Sequence, residues 1–435
     1  MTILYESYQA HEDLLAPWRS MAVAGGEVLR ELPVWLREWP VTRLALAGAE
    51  IAPLTALRHT RRPFAIESVR VGRRWVTVHE EPVSGSPFGT LLRFAKTPRI
   101  EQPRVLLLAP LSGHFSTLLR DTVRTMLPDH DVFISDWHNC RDMPLERGAF
   151  GVDEYVQHVI DFLHAMGPGA HLVAVCQPVV QALAATAVMA AADDPCQPRS
   201  LTLIAGPIDA RVNPTAVNDL ATSHPIEWFE RNLIAHVPTR YPGAGRRVYP
   251  GFLQLTAFMM MNGRRHAEAL ANLFTDLIAQ KHAEAAKTEE FYREYFAVLD
   301  LAAEFYLETV QQVFQEHRLA RGELHWRGQL VDPAAIRRTV LLTVEGERDD
   351  ISGIGQTAAA HDLCYKIPLA RRSHHLQAGA GHYGVFSGRR WEREVYPVVR
   401  NAILTGERRP RVAARQPTRT GVPAPGASPR ASRVG

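Results

Sequence analysis

Cysteine is scarce in this chain: Cys140, Cys176, Cys196 and Cys364 are the four it has among 435 residues. So low a count excludes a disulfide framework, and no Cys-x-x-Cys pair offers the spacing of a structural zinc site. A reducing, cytoplasmic setting is the expectation that follows. Long hydrophobic runs are lacking too. The longest apolar stretch, Leu172 to Ala192, is broken by Gln177, Pro178, Gln181 and Thr186, and reads as a buried strand and helix, not a membrane span. The first fifteen residues carry Glu6, Glu12 and Asp13 and no basic cluster, so no secretory leader is expected. Acid is missing from the last stretch: Arg408 to Gly435 holds seven Arg, no Lys and no carboxylate. Setting those seven charges aside from the net +3 leaves the body at −4, which argues against a nucleic-acid surface. The stretch itself is expected to be a solvated, disordered tail.

What is present is the composition of a globular protein, 46% hydrophobic and 22% charged, long enough for a large core. Residues 1–62 read as a helical arm broken at Pro33, Pro40 and Pro53, with Trp18, Leu29, Leu32, Trp35 and Trp39 as apolar anchors. Alternation over Ile66–Val71 and Trp75–Val78 around Gly72 predicts a β-hairpin, and Leu91–Phe94 a third antiparallel strand. After Pro103 the texture changes. Short apolar runs at Val105–Leu108, Val132–Ile134, Leu172–Val175, Leu201–Ile204 and Val340–Val344 alternate with helical segments, the pattern of a parallel sheet covered on both faces. Between Ile204 and Val340 the alternation stops. That segment reads as an inserted helical cap, with Phe291, Tyr295, Val298, Ala302 and Phe305 at helical spacing. The expected division is an arm (1–62), a first core part (63–210), a cap (211–337), a second core part (338–406) and a tail (407–435).

Cys176 lies where His171–Val175 gives way to an Ala-rich helix. A nucleophile on such a strand-to-helix turn is the mark of an α/β-hydrolase fold: the turn lifts the side chain above the sheet and aims a helix N-terminus at it. That environment favours the thiolate, the attacking species. The usual elbow is Gly-x-Ser-x-Gly, and here its flanks are Ala174 and Pro178. A free cysteine can equally be a small buried hydrophobe, so the assignment leans on partners. Cys196-Gln-Pro repeats the same tripeptide in a loop, without strand or helix, and is read as a plain loop residue. After the cap, the strand Thr339–Val344 runs into the acidic stretch Glu345–Asp350. Then His382 follows, flanked by Gly381 and Gly384, which suits an exposed, flexible loop. Nucleophile, acid, histidine is the chain order of this fold. The oxyanion hole would take one N–H from Gln177 and one from the turn after Val105–Leu108, at Leu111 or Ser112.

These residues resemble a family. Tyr5-Glu-Ser-Tyr-Gln, Pro110-Leu-Ser-Gly-His114, Ser135-Asp-Trp-His-Asn139, Val175-Cys-Gln-Pro178, Glu345-Gly-Glu-Arg-Asp-Asp-Ile351 and Gly381-His-Tyr-Gly384 are similar, in the same order, to pieces of the intracellular polyhydroxyalkanoate (polyhydroxybutyrate) depolymerases, relatives of the polyhydroxyalkanoate synthases. The resemblance implies a triad of Cys176, Asp349 and His382, two-step ester hydrolysis through an acyl-cysteine, and no cofactor or metal. It implies stored polyester granules and 3-hydroxyalkanoate oligomers as partners, in the cytoplasm. Synthases carry Gly-x-Cys-x-Gly where this chain has Ala-Val-Cys-Gln-Pro, which separates the two. The tail after Arg408 matches nothing in the family. A synthase-like acyltransferase and a general carboxylesterase or thioesterase stay as alternatives.

Overall fold

The computed structural model describes residues 2–261 and 263–407. The Arg-rich stretch from Arg408 onward lies outside them. Glu407, counted with that stretch above, is the last residue of a helix and hydrogen-bonds His171 and Arg199.

The arm consists of α1 (Thr2–Arg30), which runs through Pro17, and α2 (Pro40–Ile51). Trp18, Trp35 and Trp39 do not anchor it: they are 66%, 62% and 56% exposed. The arm buries Tyr5, Ala47, Ala49 and Leu54 instead, because small side chains let α1 and α2 approach closely and one phenol reaches a partner in the cap. Tyr5 Oη donates to Asp300 Oδ2 at 2.6 Å, and the Gly251 N–H donates to Asp300 Oδ1 at 2.9 Å.

Nine strands form one sheet: β1 (Ser68–Val71), β2 (Arg74–Gly85), β3 (Gly89–Thr97), β4 (Arg104–Leu108), β5 (Asp131–Trp137), β6 (His171–Val175), β7 (Ser200–Ile204), β8 (Val340–Gly346) and β9 (Arg372–Gln377), in the order β1-β2-β3-β5-β4-β6-β7-β8-β9. The pairs from β1 to β5 are antiparallel, and every pair from β5 through β9 is parallel. The crossovers are α3 (Arg120–Met126), α4 (Val152–Met166) and α5 (Val179–Ala191). They cover both faces, so Leu106, Leu107, Val173, Leu203 and Leu342 lose all exposure. Each such side chain contributes roughly 1.5–3 kcal/mol of burial. α4 starts where the Glu154 carboxylate accepts the Gly151 N–H at 2.8 Å, and it stops at Gly167, whose φ of +77° suits glycine. α5 is apolar on every side but for Gln181 and Thr186, and accordingly sits inside the protein.

Between β7 and β8 the chain builds the cap from α6 (Ala216–Thr222), α7 (Ile226–Leu233), α8 (Gly251–Met261), α9 (Gly263–Ile278), α10 (His282–Tyr295) and α11 (Ala303–Thr309), the last continuing as a π-helical turn, Val310–Gln315. The cap is not purely helical. Ala235–His236, Arg247–Tyr249 and Leu301–Ala302 form a small antiparallel sheet. The stripe from Phe291 to Phe305 is also not one helix. α10 ends at Tyr295: the Phe296 and Ala297 N–H groups close the last turn on Tyr292 and Glu294, and the following ones find partners far along the chain, Val298 N–H on the Arg58 carbonyl at 2.7 Å and Leu299 N–H on the Gly113 carbonyl at 2.9 Å. The final helix, α12 (Tyr396–Glu407), packs on β7 and β8.

Candidate active site

Cys176 occupies the turn between β6 and α5 with φ +67°, the left-handed region that costs a non-glycine residue energy. The surroundings hold it there: its N–H donates to the Ile204 carbonyl at 2.7 Å, and Pro178 begins the helix, its carbonyl accepting from Ala182 at 2.8 Å. Neither Ala174 nor Pro178 relieves crowding at this turn. Gly206, just beyond the neighbouring strand β7, does so. A Cβ there would stand 2.3 Å from the Cys176 carbonyl oxygen and 2.3 Å from a Val179 methyl.

At the end of β8 the acidic stretch divides by which N–H groups each carboxylate meets. Glu345 is buried and accepts from Gly355, Thr357 and Ala358, closing its loop. Glu347 accepts from Gly379. Asp349 turns inward, accepts the Ile351 and Ser352 N–H groups at 2.9 Å each, and binds His382 Nδ1 at 2.8 and 3.0 Å. His382 is not in an exposed loop. It is 5% exposed, in the tight turn His382–Val385, because Val385 and Phe386 drive the segment into the core and the Ala380 carbonyl takes the Arg348 N–H. Burial by itself lowers the His382 pKa. The Asp349 carboxylate and then the Cys176 sulfur outweigh it, and hydrogen bonds with both add to them, so the imidazolium is held well above its ordinary range. Cys176, His382 and Asp349 thus lie together at the C-terminal edge of the parallel strands.

Gln177, Leu111 and Ser112 line the same cavity as Cys176. The Leu111 N–H points at Gln177 Oε1, 3.4 Å away, and Gln177 Nε2 donates to Gln181 Oε1 at 3.1 Å. The motif around Ser135 serves this turn: Ser135 Oγ accepts the Ala109 N–H at 2.9 Å and Trp137 Nε1 donates to the Ala109 carbonyl at 3.0 Å. Asn139 ties the same region to arm and cap, its Oδ1 accepting from Asp300 and Arg141 and its Nδ2 donating to the His59 carbonyl. The cavity encloses about 190 Å³, and its wall is mostly apolar, with Phe229, Phe258, Phe305, Tyr306 and Phe314 from the cap. Two features escaped the reading of the sequence. Tyr383 neighbours both His382 and Tyr295, and its hydroxyl is held protonated, first by burial and then by the charges of Tyr295 and Cys176. Gln181, fully buried, had no cue but its place on the helix after the elbow.

One other donor group stands out among the described residues: His164, Asp194 and Cys196 lie close together. Asp194 Oδ2 already binds His164 at 2.6 Å and Oδ1 the Cys196 N–H at 2.7 Å, so the group closes a loop. Cys196 is buried in that loop.

The β3-β5-β4-β6 order, the parallel run to β9 and the left-handed cysteine after β6 define an α/β-hydrolase. Residues 205–406 match the family described as PHB de-polymerase C-terminus. This match and the fold together support an ester hydrolase. No curated protein matches the chain. Among solved structures, it is similar to 2-hydroxy-6-oxo-6-phenylhexa-2,4-dienoate hydrolase from a Rhodococcus strain, with 12% identity, 76% of this chain and 99% of that chain covered, and a TM-score of 0.41. It is also similar to a thioesterase domain from the curacin biosynthetic pathway (10%, 75% and 99%, 0.40) and to a hydrolase from Pseudomonas aeruginosa (13%, 75% and 98%, 0.39).

Proposed function

We propose that the protein hydrolyses the ester bonds of stored poly(3-hydroxyalkanoate), including poly(3-hydroxybutyrate), with Cys176 as nucleophile, His382 as base and acid, and Asp349 as its orienting partner. The observation that carries this reading is the buried His382 ring, bonded through Nδ1 to Asp349 and within hydrogen-bonding reach of the Cys176 sulfur. In the first step the Cys176 proton passes to His382 and the sulfur attacks the ester carbonyl. The carbonyl oxygen takes the electron pair and rests against the N–H groups of Gln177 and Leu111, with Ser112 beside them. Collapse expels the alkoxide, which leaves as a hydroxyl-ended chain with the proton from His382. Water, deprotonated by His382, then attacks the thioester and frees the acid end, and the sulfur regains its proton. The match to the depolymerase family supports the polymer as substrate. The exposed Trp18, Trp35 and Trp39 on the arm support association with a granule surface, since apolar patches in water mark sites of contact. No described helix is long and apolar enough to cross a membrane.

The test is release of 3-hydroxy acids and oligomers from native amorphous granules by wild type and Cys176→Ala. Loss of a triad nucleophile is expected to lower the rate by roughly a thousandfold or more. Unchanged release removes Cys176 from the mechanism. Polymer growth from acyl-coenzyme A points to a synthase-type acyltransferase, and turnover of short soluble esters or thioesters with none of granules to a general esterase or thioesterase.

A further inference from the structure

Gln181 is out of place by composition. α5 buries alanine, valine, leucine, methionine and Thr186, whose hydroxyl is satisfied by the Ala182 carbonyl, and Gln181 lies among them with no exposure at all. A buried amide needs partners for both its oxygen and its NH2 group. Its oxygen has one, Gln177 Nε2, at 3.1 Å. Its Nε2 has none among the described residues. The other amide atom of Gln177, Oε1, accepts the Leu111 N–H. The three groups therefore form a line: a backbone N–H at the reacting centre, the Gln177 amide, and the Gln181 amide with an unused donor at the far end.

We propose that Gln177 and Gln181 are positioning residues forming a two-position amide latch on the Leu111 N–H. The proposal rests on the reading of Leu111 as an oxyanion donor. In the resting enzyme Gln177 Oε1 occupies that N–H, which spares a buried donor from being left unpaired. An amide oxygen is a stronger acceptor than an ester carbonyl, so an arriving ester does not displace it. The tetrahedral oxyanion is stronger than either and takes the N–H over. Gln177 Oε1, released, turns to the unused Gln181 Nε2. The Gln177 Nε2 to Gln181 Oε1 bond persists, and the two side chains close a reciprocal amide pair. No donor is lost in the exchange, and no covalent bond changes. The handover occurs only as negative charge develops, which is the condition for an interaction to raise kcat instead of tightening the ground state.

Wild-type enzyme with isotopically labelled glutamine nitrogens, treated with an alkyl trifluoromethyl ketone, tests this. The Cys176 sulfur bonds to the ketone carbon, the oxygen takes the electron pair, and the thiol proton moves to His382. The Gln181 side-chain NH2 signal is expected to shift downfield in the adduct and to stay unmoved in Cys176→Ala treated alike. Gln181→Met keeps the volume and removes both amide groups. On a soluble ester its kcat is expected to fall about five- to tenfold with KM within roughly twofold of wild type, and its Tm not to drop. An adduct with the Gln181 signal unmoved overturns the latch and leaves the triad standing, as does a Gln181→Met loss carried by KM alone or no loss at all. An enzyme that forms no adduct and keeps its activity as Cys176→Ala overturns the triad, and the latch with it.

Discussion

Gly206 and Cys176 belong to different strand ends, yet the conformation of one depends on the bareness of the other. A methyl group at 206 would have to push the Cys176 carbonyl and Val179 aside. Gly206→Ala is therefore expected to cost about 1–3 kcal/mol by overpacking and to lower turnover, because the displaced atoms belong to the turn that aims the sulfur. Thermal melts beside ester turnover check both, and a stable, fully active variant removes Gly206 from the account. This dependence was not legible in the sequence. A one-dimensional pattern searches for glycine beside the nucleophile, and here the glycine is thirty positions later, brought near by β6–β7 pairing. The order of Cys176, acidic stretch and His382 was legible, because strand, helix and loop signals are local. Which acid faces His382 was not legible from the residues alone. Glu345, Glu347 and Asp349 share one strand end and differ only in the N–H groups that fold against them.

At the scale of elements, the parallel strands were readable because burial on both faces demands unbroken apolar runs. The cap was not so readable. Phe291 to Phe305 keeps helical spacing in sequence, while the backbone leaves the helix after Phe296, is held at Val298 and Leu299 by Arg58 and Gly113, and resumes as a separate helix at Ala303. Periodicity cannot report partners so distant. The arm misled for a related reason. An aromatic residue in a helical stretch is read as buried, yet the buried bond between arm and cap is one phenol on a carboxylate, Tyr5 on Asp300, with the Tyr8–Phe252 stack and the Asp13–Arg240 and Gln9–Tyr241 bonds around it. Asp300 is fully buried, and burial raises its pKa against the hydrogen bonds from Tyr5 and Gly251. Tyr5→Phe strands one of its oxygens, at an expected cost of about 1–3 kcal/mol. Denaturant unfolding and protease cleavage of the arm should both register it, and a Phe variant as stable as wild type would remove the node from the account of how arm and cap are joined.

For the whole molecule, acid is the expected weakness. His114 and His130 are both buried, and burial pushes each imidazole down to about 4. Unfolded, each titrates near 6.5. Between about pH 6.5 and 4 the unfolded chain binds protons that the folded chain refuses, so stability falls as pH falls through that window and levels off below it. The loss is on the order of 3 kcal/mol for each histidine. His382 has the opposite sign: its raised pKa contributes stability that is complete below about pH 6.5 and fades as pH rises through the folded value. Urea midpoints measured across pH 4 to 8 should show the acid-side decline, and His114→Gln should flatten it; an equal slope in wild type and variant would count against His114 as a source.

The uneven placement of the eight tryptophans has an optical consequence. Trp18, Trp35, Trp39 and Trp75 stand largely in water, while Trp137 and Trp391 are sealed inside. The intrinsic fluorescence is accordingly two signals superimposed, a red-shifted one from outside and a blue-shifted one from within. A quencher dissolved in the solvent separates them. Adsorption of the arm to a hydrophobic particle would silence quenching of the three arm tryptophans in the first, leaving Trp75 and the second unchanged, and melting would expose the second. Docking and unfolding can thus be told apart in one cuvette without attaching a dye.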